Sequence, residues 1–288
     1  MITINDFIQG EKFIQIADFA FCHNNNDFNV FENTFTAENV NKCEKNILIV
    51  YSHIHWAESL FKYINDNKIS KRIILVTHNS DHEVNEELFN KKPENIVKWY
   101  SQNVNYIHKD LISIPIGLEN NRWFFDEKKK EKLIDLIYYG HKKIINLLYI
   151  NHSIKTFPNE RSEPYEIFKD NDWCTLVHGY NGYDYNQYIN NVFNHPYTLC
   201  ARGNGFHTHR EFECLYAGNQ PIVIKNINNS QYSDLPIVYV DSWKEITKGF
   251  LEVKYLEFHR NKLNNIYNFE KLKFSYWRDL IFKTANRI

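Results

Sequence analysis

The sequence predicts an α/β protein of two Rossmann-like domains facing one another across a cleft. Three observations carry this reading. Short β-branched runs alternate with longer amphipathic stretches, the pattern of parallel strands joined by crossover helices. The alternation occurs twice, on either side of the charged tract DEKKKEKLIDL at 126–136, which reads as a solvated helix or an interdomain segment. The length, 288 residues, suits two domains of ordinary size. The expected division is one domain over 1–135, a second over 136–265, and a C-terminal helix over 266–288 that packs back on the body.

In the first half, NILIVYSH (46–53) reads as a buried strand followed by the helix WAESLFKYIND. RIILVTHN (72–79) is a second strand, and SDHEVNEELF after it a polar helix. NIVKWYSQNV (95–104) and LISIPIGLE (111–119) are two further strands. In the second half, INLLYINHS (145–153) is a strand and PNERSEPYEIFKD (158–170) a helix with Pro in its first turn, where a missing N–H costs least. The strand WCTLVHG (173–179) and the helix YDYNQYINNVFN (183–194) come next. After PYTLCARGNG (196–205), the helix HTHREFECLYAG (207–218) closes on Gly218 as C-cap. QPIVI (220–224) and PIVYV (236–240) complete the strands. Ser242 is placed to cap WKEITKGFLEVKYLEF, and Leu272, Tyr276, Leu280 and Ile281 recur at helical spacing in the tail.

Composition narrows the partners. With 34 basic and 35 acidic residues the formal charge is −1, without the basic surplus that nucleic-acid binding usually needs. The five cysteines (22, 43, 174, 200 and 214) are scattered and form no CxxC pair, so neither a zinc site nor a disulfide framework is expected. The first 21 residues are interrupted by Asp6, Glu11, Lys12 and Asp18 and do not read as a signal peptide. No apolar run approaches 18 residues, so no integral membrane segment is expected, and the reading is a cytoplasmic protein.

In open α/β sheets ligands bind beyond the carboxyl ends of strands, so the chemistry should lie in the loops that follow them. The strongest signal is TLCARGNGFHTHREFECLYAGNQPIVI (198–224). Here a strand runs into the turn Arg202-Gly203-Asn204-Gly205, and a helix begins near His207 or Thr208. Glycines allow close backbone approach, and the first N–H groups of a helix attract an anion. Arg202 can add a forked contact to phosphate oxygens. Arg210 and Glu213 share a helical face, as do His209 and Glu213, and a carboxylate there can accept hydrogen bonds from two ribose hydroxyls. The plainer alternative is a glycine turn followed by a helix with an internal ion pair.

These residues resemble a family. Arg202-Gly-Asn-Gly, Thr208-His-Arg210, Glu213, and Gly218 with Pro221-Ile-Val look like the donor-site segment of exostosin-like glycosyltransferases, which are GT-B enzymes. LLYINHSIKTFPNER (147–161) is similar to the start of the donor domain in small bacterial and large-DNA-virus members. KWYSQNVNY and IPIGLENNRWF are weaker likenesses. The resemblance implies an acceptor-side first domain, a donor-binding second domain, and transfer of a sugar from a nucleotide diphosphate sugar to a glycan or glycolipid acceptor, with inversion. It carries the ribose role to Glu213 and diphosphate contacts to Arg202 and Arg161, with Gly203, Asn204, Gly205, Thr208, His209 and Arg210 completing the donor site. One departure is His207, at a position where the resemblance leads one to expect Asp, so no role is carried over to it.

An inverting transferase needs a base for the acceptor hydroxyl, and Asp, Glu or His can serve. His78 and Asp81 follow a strand in the first half and are candidates, along with His53, His55 and Glu119 at other strand ends. Asn79, Ser80 and Asp81 read equally as turn formers or a helix N-cap. Asp170-Asn-Asp172 has D-x-D spacing but falls between a helix and a strand, at the wrong end of a sheet for metal on diphosphate; an ordinary turn is the expectation. No HExxH or GxSxG pattern occurs. With arginines and a helix N-terminus to neutralise the leaving group, neither metal nor cofactor is expected. Two other classes compete: another nucleotide-sugar enzyme such as an epimerase or dehydrogenase, though GxGxxG is missing, and an inactive sugar- or nucleotide-binding protein of the same fold.

Overall fold

The computed structural model describes residues 2–21, 33–121, 125–179 and 184–287. Cys22, Arg122–Phe124 of the weaker likeness and Tyr183 of the expected helix lie outside the described residues. The chain forms two compact units: the first is Ile8–Ile116 with Phe274–Ile288, the second Met1–Phe7 with Gly117–Lys273.

The first unit contains helix α1 (Gly10–Gln15), strand β1 (Phe19–Phe21), α2 (Ala37–Lys42), β2 (Ile47–His53), α3 (Ala57–Asp66), β3 (Arg72–His78), α4 (Glu86–Asn90), β4 (Ile96–Ser101) and β5 (Leu111–Ser113). All five strands are parallel and stand in chain order, β1-β2-β3-β4-β5. Right-handed crossovers in a sheet that never reverses put every connecting helix on one face. Accordingly Val40 of α2, Leu60, Phe61 and Ile64 of α3 and Phe89 of α4 share one core with Leu48, Val50, Ile73, Leu75 and Trp99. The alternate residues Ile49, Tyr51, Ile74, Val76 and Tyr100, also buried, project to the other face. That face is covered by α1 and by the C-terminal helix Phe274–Arg287, which pack on β3 and β2. Phe13 meets Phe274 edge-on at 5.2 Å, and the Tyr100 hydroxyl is 2.7 Å from Thr284 Oγ1.

The second unit continues with α5 (Glu127–Tyr139), β6 (Leu148–His152), α6 (Pro158–Arg161), α7 (Glu163–Phe168), β7 (Cys174–His178), α8 (Tyr185–Asn194), β8 (Tyr197–Leu199), α9 (His209–Tyr216), β9 (Gln220–Ile224), β10 (Val238–Val240) and α10 (Lys248–Leu263). Its five parallel strands are ordered β10-β9-β8-β6-β7. The chain steps outward from β6 to β7, returns to the other side of β6, and then winds away through β8, β9 and β10. The reversal between β6 and β8 is a topological switch point, with the helices of the two directions on opposite faces. Tyr165 and Phe168 of α7 and Leu251 of α10 form a core with Leu148, Ile150, Leu199 and Ile222, while α8 and α9 pack together and α9 lies on β8 and β9.

Several elements differ from the sequence reading. The strand expected over 111–119 ends at Ser113, two residues before Pro115, which has no N–H to give a ladder. The polar helix after β3 is confined to Glu86–Asn90, capped by Asn85. The helix expected over 158–170 is two short ones meeting at Ser162, and Pro164 stands in the first turn of the second. Ser242 caps only a 3₁₀ turn, Trp243–Glu245, and the long helix starts afresh with Thr247 as its cap. β1, α1 and α2 were not foreseen. Of the two readings of the tract 126–136, a solvated helix or an interdomain segment, the structure has the helix, within the second unit and packed on α8. Residues 1–7 join that unit too: the Tyr138 hydroxyl donates to Ile2 O at 2.7 Å, and Phe7 meets Tyr216 at 4.8 Å.

Candidate functional site

At the switch point the loop after β6 and the loop after β8 meet. Arg161, at the end of α6 and 7% exposed, ties them together. Its Nε donates to Arg202 O at 2.7 Å, Nη1 to Ser153 O at 3.1 Å and Nη2 to Ala201 O at 3.5 Å. Gly203 gives this contact room: a Cβ would stand 3.2 Å from Arg161 Nη2, tight enough that the guanidinium would have to shift. Glu160 completes the junction by accepting the Arg202 N–H at 3.0 Å. Burial raises the Glu160 carboxyl above its usual range, against the pull of Arg202 and Arg161.

The Arg202 guanidinium lies over the rings of Phe157 and Phe206, 4.7 and 4.2 Å from their centroids. Its Nη2 donates to Asn204 O at 2.9 Å and its Nε to Gly203 O at 3.3 Å. Arg202 and Glu160 line a cavity of about 150 Å³ with Cys200, Phe206, Val223, Ile224 and Asn226, beyond the carboxyl ends of β8 and β9.

The helix that follows is strongly fixed at both ends. Thr208 is its N-cap, and Glu211 reaches back to accept the Thr208 N–H at 3.0 Å. The other Glu211 oxygen is 2.8 Å from His207 Nδ1, and both side chains are buried. Position 207 is thus part of the helix-start architecture. At the far end Gly218 adopts φ +71°, with Gly218 N–H to Leu215 O and Asn219 N–H to Cys214 O closing a Schellman motif.

His209, Arg210 and Glu213 project from α9. His209 Nδ1 is 2.9 Å from Gly117 O and Nε2 is 3.2 Å from Glu119 Oε2. Both ring nitrogens face acceptors, an arrangement that favours the protonated imidazole. Burial opposes that charge, but the hydrogen bond and charge of Glu119 and the Gly117 carbonyl outweigh it, and the His209 pKa is raised. Glu213, 7% exposed, accepts a 2.5 Å hydrogen bond from the Tyr188 hydroxyl of α8. Burial raises its pKa, against Tyr188, Arg210 and His209. The buried Arg210 guanidinium lies 5.9 Å from the Tyr188 ring centre. Below the loops, His152 at the end of β6 places Nε2 2.8 Å from Arg161 O, and burial pushes its pKa down to about 3.

The donor-side residues expected from the sequence therefore come together in the second unit. Glu119 is a correction: it lies past the end of β5, belongs to the second unit and pairs with His209, away from the strand end where it was expected. His78 and Asp81 are in the first unit, at the end of β3. His78 Nδ1 accepts the Asn79 N–H at 2.9 Å and Nε2 is 3.0 Å from Pro115 O. Asp81 is exposed on the following loop. His53 is buried and stacked on Trp56, whereas His55 and His82 both approach Ser80 Oγ, at 3.3 and 3.2 Å. Asp170 and Asp172 lie in the turns before β7, at the amino end of the sheet. Sequence reasoning missed Glu160, Tyr188 and Glu211; only the Thr208-x-x-Glu211 spacing offered a signal for one of them.

Two parallel α/β units, one with a topological switch point in its sheet, define the class of fold. No protein-family model matches the sequence, and no curated protein matches it. Among solved structures it is similar to a UDP-forming α,α-trehalose-phosphate synthase from Burkholderia xenovorans, at 10% identity and a TM-score of 0.46, over 88% of this chain and 76% of that one. Among the described residues no helix is long and apolar enough to cross a membrane.

Proposed function

We propose that the protein is a GT-B glycosyltransferase that moves a sugar from a nucleoside diphosphate sugar to a glycan or glycolipid acceptor, with inversion and without a metal. The observation that carries the reading is the course of one segment. The loop after β8 leaves the sheet at its switch point, enters the N-terminus of α9, and the same helix bears Arg210 and Glu213 one turn apart. In this reading the first N–H groups of α9, with Arg202 and Arg210, receive the diphosphate. Arg161, Gly203, Asn204, Gly205 and Thr208 shape the loop, and Glu213 accepts the ribose hydroxyls. As the glycosidic bond to the diphosphate breaks, negative charge grows on the leaving group, and fixed cations and helix N–H dipoles stabilise that state more than the bound ground state. Of the candidate bases we retain Asp81.

The test is Glu213→Gln, which keeps shape and removes charge. Loss of a charge-assisted acceptor is worth ~1.5–3 kcal/mol in donor binding. Wild type should prefer a ribonucleoside diphosphate over its 2′-deoxy form, and the variant should not. Unchanged discrimination in the variant would remove the ribose role, and with it the reading.

A further inference from the structure

Glu213 has two carboxylate oxygens, and the structure commits one of them. Tyr188, a turn into α8, donates its hydroxyl to Oε2 at 2.5 Å. The donor residue is itself held: its ring stands 6.3 Å from Tyr149 of β6 and 6.2 Å from Tyr185 on the same helix. We propose that Tyr188 is the positioning residue of the nucleotide site, which fixes the rotamer of Glu213 so that Oε1 is presented to the two ribose hydroxyls. This rests on the ribose role given above to Glu213.

The argument is geometric first. A glutamate on a helix has three rotatable side-chain bonds, and accepting two hydroxyls at once requires a single orientation. A short bond from a hydroxyl to a carboxylate is among the stronger ones available, and this one comes from a neighbouring helix rather than from α9 itself. It also acts on charge. Glu213 is faced by Tyr188 and Tyr185 from α8, His209 and Arg210 from α9, Glu119 from the segment after β5, and Cys200 from the end of β8. Burial, and more weakly Glu119, disfavours its ionised form, while Tyr188, Arg210 and His209 favour it. Removing the tyrosine hydroxyl takes away a stabilising partner of the carboxylate, so protonation of Glu213 should then compete with ribose binding at a higher pH.

The experiment compares wild type, Tyr188→Phe, Glu213→Gln and the double variant by calorimetry between pH 5 and 8. The probes are UDP, GDP and CDP, each paired with its 2′-deoxy form. The expected result is a roughly tenfold smaller ribose preference in Tyr188→Phe, with the acid limb of binding moved to higher pH. Glu213→Gln should show no preference, and the double variant should match it. If Glu213→Gln loses the preference while Tyr188→Phe keeps both preference and pH profile, the positioning role is overturned and the proposed function stands. If Glu213→Gln keeps the preference, or no nucleotide binds wild type, the proposed function fails and this inference fails with it.

Discussion

Arg161 is the group whose removal should be felt most widely. Its side chain joins the loops after β6 and β8, through Nε to Arg202 O, 41 positions away, at 2.7 Å and Nη1 to Ser153 O at 3.1 Å. The third contact, at 3.5 Å, is too long to count for much. Hydrogen bonds from a charged donor are worth ~1.5–3 kcal/mol each, and two that share one guanidinium are not additive, so Arg161→Ala should cost about 3 kcal/mol. For a unit of this size each kcal/mol lowers the midpoint by about 2–4 °C, which gives a fall of about 6–12 °C. Arg161→Lys keeps the charge but replaces a planar fork by a point, and should unfold close to the alanine variant. Differential scanning calorimetry of the three proteins without nucleotide makes the comparison. An Arg161→Ala midpoint equal to wild type would refute the reasoning. Full rescue by lysine would show that charge alone matters at this junction.

Three other outcomes follow from the same geometry. Arg202→Ala should weaken nucleoside diphosphate binding by ~1.5–3 kcal/mol and leave the nucleoside almost unaffected; equal losses in calorimetry would take Arg202 off the phosphate. The Glu119–His209 pair gives a pH dependence of stability. The His209 pKa is raised in the fold, so its contribution is full below the unfolded value of about 6.5 and is lost as pH rises through the raised folded value. Urea melts across that window should show the loss in wild type and much less of it in Glu119→Gln. Finally, transfer assayed with purified acceptor and donor should survive EDTA; loss restored by Mn²⁺ or Mg²⁺ would discard the metal-independent mechanism.

The strands were legible because their sequences are β-branched and bounded. QPIVI was read at 220–224, where β9 stands, and RIILVTHN overran β3 by one residue. β1 is only Phe-Ala-Phe, with no β-branched residue to mark it, and it is identified by its pairing with β2. The sequence also concealed the sheet order, hence the switch point, because strand order is set by which edges meet. Within the site, the residues of 202–213 were readable because they share one turn and one helix. Their partners were not. Glu119 lies 90 positions from His209, Tyr188 25 positions from Glu213, and Arg161 41 positions from Arg202. No local period connects such pairs, and only packing brings them into contact.

The unbroken order of the first sheet bears on synthesis at the ribosome. Residues 8–116 can gather α2, α3 and α4 on one side as soon as they emerge. Of the two helices on the other side, α1 is already made, but the one against β2 is encoded at 274–287. At translation rates of about 5–20 residues per second, the intervening stretch delays it by roughly 10–30 s. Meanwhile the side bearing Ile49, Tyr51, Ile74 and Val76 lacks that cover, an apolar surface of the kind that chaperones hold. The later-made unit has all of its own elements before that helix arrives. The portion synthesised first is therefore the portion completed last.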